Sequence, residues 1–137
     1  MSANRRFAMI VLDHTILRVR DTARSVAFYT QVLGFAHEGR MGPFDVVRVN
    51  DDLTLDLRQV DTLEVEHLAF SLDRASFDAI HARLIERGIV YGGSPFDRRN
   101  GQVGQSHGAR GMATAIYFDD PDGHALEIRV YPEAMAA

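Results

Sequence analysis

Cysteine is missing from this 137-residue chain, tryptophan is missing too, and proline appears only 4 times. Without cysteine there is no disulfide framework, no thiolate nucleophile and no cysteine-type zinc site, so any metal must be held by His, Asp or Glu. Long apolar runs are also lacking. The longest, Phe7 to Leu12, falls far short of the ~20 residues that span a bilayer. It is too short for the apolar stretch of a secretory leader, and no small-residue cleavage site follows it. A cytoplasmic location without membrane contact is the expectation. Positive charge is not in excess: 15 Lys+Arg against 19 Asp+Glu leave a net −4, which gives no general attraction to phosphate backbones. Arg5-Arg6, Arg98-Arg99 and Arg110 are too sparse to read as a nucleic-acid surface, so no nucleic-acid partner is expected. What remains is ordinary globular material, 46% hydrophobic and 25% charged, of a length that makes one domain.

Within that domain the chain repeats itself. Leu12-Asp13-His14-Thr15-Ile16-Leu17-Arg18-Val19 alternates like a strand, and so does Val65-Glu66-His67-Leu68-Ala69-Phe70-Ser71-Leu72. Asp21 and Asp73 follow, each suited to accept from the free N–H groups at a helix start. Helical spacing then links Val26, Tyr29 and Leu33 in the first copy and Phe77, Ile80 and Leu84 in the second. Gly34 and Gly88 supply left-handed helix stops. From His to Gly is 20 residues in the first copy and 21 in the second. Each copy then carries an acid between aliphatics, Leu55-Asp56-Leu57 and Leu126-Glu127-Ile128. His-to-acid spacing is 42 residues in the first and 60 in the second. The extra length lies between Gly92 and Gly111, which hold six of the eleven glycines. These features predict two βαβββ units, about 8–60 and 65–131, joined by a polar link near Asp61 to Glu64. Asp120-Pro121-Asp122-Gly123 predicts the turn of the last hairpin. A helix on one face of each small sheet makes the fold α+β.

Strand parity separates two faces. Leu17 and Val19, Leu55 and Leu57, Leu68 and Phe70, and Leu126 and Ile128 form apolar faces suited to helix packing. The opposite faces carry His14 with Arg18, Asp56 with Arg58, His67 with Ser71, and Glu127 with Arg129 and Tyr131. If the sheets curl toward each other, His14, His67, Glu127 and Asp56 converge in one cleft. Two imidazoles and a carboxylate form a facial ligand set with open coordination positions. That set fits Fe(II), Mn(II), Ni(II), Co(II) or Zn(II) and disfavours the all-oxygen cages that Ca(II) prefers.

The stretch Leu12 to Val19, followed by Ser25-Val26-Ala27-Phe28-Tyr29-Thr30-Gln31-Val32-Leu33-Gly34-Phe35, resembles the opening of the vicinal oxygen chelate superfamily. That group includes glyoxalase I, extradiol ring-cleaving dioxygenases, fosfomycin-resistance thiol transferases, methylmalonyl-CoA epimerase and bleomycin-binding proteins. Tyr117-Phe118-Asp119-Asp120-Pro121-Asp122-Gly123-His124-Ala125-Leu126-Glu127-Ile128 is similar to its closing hallmark. The resemblance runs from about residue 9 to 131. It implies one domain over 1–137, built as two tandem βαβββ modules forming a curled mixed sheet. It also implies a divalent metal on His14, His67 and Glu127. A fourth ligand position falls on Asp56, where the usual residue is the longer Glu. The implied chemistry is chelation of two neighbouring substrate oxygens by the metal. A glyoxalase-I-type lyase or isomerase is the nearest match in length and opening motif. A ring-cleaving dioxygenase comes next, and a drug- or metabolite-binding protein is the non-catalytic alternative. A homodimer acting on a small molecule is implied, with each site built within one chain or across two.

Other residues with chemical potential are fewer. Arg110, in the glycine-rich stretch between 92 and 111, is a candidate for an anionic substrate group, and the stretch itself for a lid or specificity loop. Tyr117 is a candidate donor to substrate. His37, His81 and His124 are read as non-ligands: a loop start, a helix packing residue and a turn residue.

Overall fold

The computed structural model describes residues 9–132. Arg5, Arg6 and the first two residues of the Phe7–Leu12 run lie outside the described residues, as does the start of the unit placed at 8–60. The first unit runs β1 (His14–Val19), α1 (Thr22–Gln31), β2 (Ala36–Met41), β3 (Phe44–Arg48) and β4 (Thr54–Gln59). The second runs β5 (His67–Ser71), α2 (Arg74–Glu86), β6 (Tyr91–Gly92), β7 (Gly104–Gly108), β8 (Gly111–Asp119) and β9 (Ala125–Val130). Each unit forms its own mixed sheet. The first has the order β1-β4-β3-β2; the second has β5-β9-β8-β6, with β7 paired to β8. In both, the opening strand lies parallel to the last one, β1 to β4 and β5 to β9. The second unit therefore carries one strand more than βαβββ, and the glycine-rich insertion supplies it.

Local chemistry sets the helix ends. The Asp21 side chain accepts from Arg24 N–H and the Asp73 side chain from Ser76 N–H, each satisfying a backbone donor that the first turn leaves open. At the far end of α1, Gly34 adopts φ 78° and Phe35 N–H reaches back to the Tyr29 carbonyl, a closure that a residue bearing a Cβ makes only with strain.

One apolar core joins the two units. Leu17, Val19, Val47, Leu55 and Leu57 from the first sheet are buried in the same cluster as Phe77, Ile80, Leu84, Phe118, Leu126, Ile128 and Val130, with Tyr29 and Leu33 of the α1 segment between them. The apolar parity of all four motif strands thus points inward. It follows from strand alternation that the opposite faces, which carry the ionisable residues, look away from this shared core.

A buried polar knot also ties the units together. The Asp120–Gly123 turn is gripped by α1: Tyr29 Oη donates to Asp120 Oδ2 at 2.7 Å, Ser25 Oγ to Asp122 Oδ2 at 3.4 Å, and Arg24 Nη2 to Asp122 Oδ1 at 3.1 Å. His124 is fully buried. Its Nδ1 accepts from Glu66 N–H at 2.9 Å and its Nε2 donates to the Arg18 carbonyl at 2.7 Å. Both ring nitrogens are consumed.

Candidate metal centre

On the second sheet, two of the expected ligands meet. His67 heads β5 and Glu127 sits at the centre of β9, the strand hydrogen-bonded beside it, so parity turns both side chains to one face. His67 Nε2 and Glu127 Oε1 are 3.2 Å apart. Glu127 is buried, while the imidazole is about half exposed. Tyr117 lies directly across from Glu127 on β8, buried, with its ring stacked on that of His67 at 6.2 Å. Burial pushes the Tyr117 phenol above its usual range, and the neighbouring Glu127 carboxylate adds to the effect. This phenol holds its proton at neutral pH.

The second carboxylate oxygen of Glu127 is occupied. Ser106 Oγ on β7 donates to Oε2 at 3.1 Å, and Arg129 Nη1 donates to the same oxygen. The Arg129 guanidinium is itself held by the carbonyls of Ser106 and Gly111, each at 3.1 Å from Nη2. Next along the same face is Tyr131, whose ring lies under the Arg110 guanidinium at 4.1 Å and beside that of Arg129 at 5.0 Å. Tyr131 Oη accepts from Arg110 N–H at 3.1 Å. That bond, helped by Arg129, holds the Tyr131 phenol below its ordinary value. Arg110 Nη2 lies 3.5 Å from Ser71 Oγ. A cationic shelf therefore borders the His67–Glu127 pair.

His14 is elsewhere. It opens β1 on the first sheet, exposed, with Nδ1 bonded to Asp13 Oδ2 at 2.7 Å. The bond to Asp13, followed by the field of Asp56, raises its pKa above the usual imidazole value. Asp56 shares its face two residues along from the strand partner of His14 and accepts from Thr54 Oγ1 at 2.9 Å. Among the described residues no three His, Asp or Glu side chains stand close enough together to hold one ion. The four expected ligands therefore fall into two half-sets on two sheets, His67 with Glu127 and His14 with Asp56. The donor chemistry of the first half-set, a half-exposed imidazole nitrogen beside a carboxylate oxygen, suits a divalent transition ion.

Two other histidines have partners of their own. His37 Nε2 pairs with Asp45 at 3.1 Å, and His81 Nε2 with Tyr91 Oη at 3.2 Å. The stretch between 92 and 111 folds tightly: a Cβ on Gly104 would overlap the backbone of Gly93, and one on Gly92 would overlap that of Asp97. Ser106 escaped the sequence reading because nothing in a glycine-rich stretch marks one serine. Arg129 and Glu127 were legible by parity as neighbours on one face, but the serine that bridges them was not. The adjacency of Asp13 was the available signal for the His14 contact.

The profile of the Glyoxalase/Bleomycin resistance protein/Dioxygenase superfamily matches residues 11–128, and the chain belongs to that superfamily. It is similar to the solved structure of oxidase ChaP-H2, with 32% identity, a TM-score of 0.81, and coverage of 91% of this chain and 96% of that one. Oxidase ChaP-H1 is 35% identical with a TM-score of 0.79, covering 90% and 98%. The metallothiol transferase FosB of Lysinibacillus sphaericus (strain C3-41) is 26% identical over 126 residues, 85% of this chain and 79% of that protein. Catechol-2,3-dioxygenase of Bacillus subtilis (strain 168) is 28% identical over 137 residues, 85% of this chain and 40% of that larger protein. No helix among the described residues is long and apolar enough to cross a membrane.

Proposed function

We propose that this chain is a metal-dependent enzyme acting on a small oxygenated molecule, its cation held by His67 and Glu127 of one copy and His14 of a second. The observation that carries the reading is the 3.2 Å approach of His67 Nε2 to Glu127 Oε1, with His14 on the outward face of the other sheet. Asp56 stands as the fourth ligand of the set. A twofold pair of chains brings each half-set opposite its complement. Large exposed side chains at Met9, Ile10, Val11 and Leu12, leading into the edge strand β1, support such pairing, since apolar patches and open sheet edges are usually covered. A bound divalent ion supplies Lewis acidity, chelating two substrate oxygens and stabilising negative charge on them. The chain's own residues do the rest. Arg110 orients an anionic substrate group, and Tyr117, protonated beside Glu127, holds a proton on the floor of the site. Fe, Ni, Mn, Co and Zn all suit the donor set.

Oxidation by O₂ is the reaction the similarities favour, because two oxidases at 32% and 35% identity and a catechol dioxygenase stand among the relatives. Thiol transfer, named in the FosB relative, is the second reading. A glyoxalase-I-type isomerisation is the third, resting on the opening motif. A pure binding role fits less well with a retained ligand set. The test has two parts. Purified protein is reconstituted with Fe(II), Ni(II), Mn(II) and Zn(II) and screened against catechols, thiol acceptors and hemithioacetals; turnover of catechols with O₂ uptake is expected, and absence of any metal binding overturns the reading. His14→Ala and Glu127→Ala chains are then co-expressed. A site shared between copies regains metal in the mixture that neither variant binds alone; a site within one chain regains none.

A further inference from the structure

Glu127 is not a freely rotating carboxylate. Its Oε2 is taken twice, by Ser106 Oγ and by Arg129 Nη1, and Ser106 Oγ accepts in turn from the same Arg129 nitrogen at 2.8 Å. Arg129 has little freedom to leave. Its other terminal nitrogen is bonded to two carbonyls, and both it and Glu127 are about 95% shielded from solvent. The guanidinium lies in a bay that exists because residue 108 is glycine: a Cβ there would overlap Nη2, Cζ and Nε of Arg129.

We propose that Arg129 is a positioning residue for the metal centre. Seated against Gly108 and bridged by Ser106, it occupies Oε2 and presents Oε1 alone, beside His67, as the ligand atom. The proposal rests on the metal reading above and deepens it, by assigning the residue that sets which carboxylate oxygen binds. Carboxylates that ligate metals are themselves oriented by such outer contacts. Here the three partners come from two strands: β9 gives the arginine, and the extra strand β7 gives the serine and the glycine. The insertion that distinguishes the second unit thereby acquires a role at the site.

Co(II) titration of the intact protein tests this, with the dissociation constant, the visible ligand-field spectrum and the thermal melt of the metal-free protein as readouts. Arg129→Met is expected to weaken Co(II) binding about 10–100-fold and to alter the spectrum, because Oε2 becomes available. Arg129→Lys keeps a charged donor and recovers part of the loss. Gly108→Ala keeps the arginine and its charge but closes its seat, and is expected to follow Arg129→Met; Ser106→Ala gives a smaller change. Should Arg129→Met fail to fold, Gly108→Ala and Ser106→Ala carry the test, since each alters only a side-chain contact. Wild-type affinity and spectrum in folded Gly108→Ala and Arg129→Met would overturn the proposal while leaving the metal reading intact. Failure of the wild type to bind Co(II) would overturn both.

Discussion

Tyr29 and Asp120, 91 positions apart, share a 2.7 Å hydrogen bond in the interior, the hydroxyl of α1 donating to the carboxylate of the last turn. Burial holds the Asp120 carboxyl above its ordinary value of 3.8, and the Tyr29 bond opposes that rise. Removing the hydroxyl leaves a buried acceptor unpaired, so Tyr29→Phe should cost about 1–3 kcal/mol. A carboxyl whose folded pKa is raised favours folding most when protonated, a contribution complete below its unfolded pKa and lost as pH rises through the folded one. The Tyr29→Phe deficit should therefore be largest at pH 7 and narrow as pH falls toward 4. Urea unfolding at the two pH values checks this.

The helix cap of α2 has the opposite sign. The Ser76 side chain and N–H hold the Asp73 carboxyl below its usual value, so its contribution is present above the ordinary carboxylate range and disappears as pH falls through the lowered value. Asp73→Ala should lower the melting temperature at pH 7, and the gap from wild type should close in strong acid. Asp73→Asn, which retains an acceptor, should lose less.

Within the glycine-rich stretch, the structure separates two kinds of glycine. Gly104 has no room, because its Cβ would strike backbone, whereas Gly101 faces open space but has φ 71°. Gly104→Ala should cost about 1–3 kcal/mol through forced displacement, and Gly101→Ala about 1 kcal/mol through its dihedral alone. Paired chemical denaturation curves distinguish them.

Arg110 gives a prediction on the proposed activity. Stacked over Tyr131 at the rim of the His67–Glu127 pair, it offers a charge to an anionic substrate. Arg110→Gln should reduce kcat/KM for anionic compounds found in the screen by about tenfold, the worth of one charge-assisted bond. Neutral compounds should be little affected.

The repeat made much of this legible. Parity told which side of β1, β4, β5 and β9 would be apolar, because alternation is a property of the strand itself. Asp21, Asp73, Gly34 and Gly88 were legible because caps are local. That the expected ligands would stand apart on two sheets, His67 with Glu127 and His14 with Asp56, was not legible, since that depends on how two sheets pack through a common core, a relationship no window of sequence encodes. The same holds for Asp120, Asp122 and His124. Their order announced a turn, and only the packing of α1 and β1 against it turned them into buried links between the units. The Arg129–Glu127 pair lies between: two residues apart on one strand face, they were bound to be neighbours, but the serine and glycine that fix them arrive from a strand the repeat did not foresee.

The common interior has a consequence for how the molecule comes apart. Leu17 and Leu57 of the first unit rest in one cluster with Leu84 and Ile128 of the second, and the Tyr29 and His124 bonds cross the same boundary. Neither half keeps a complete interior without its neighbour, so heating should give a single cooperative endotherm, with no temperature at which one repeat melts while the other survives.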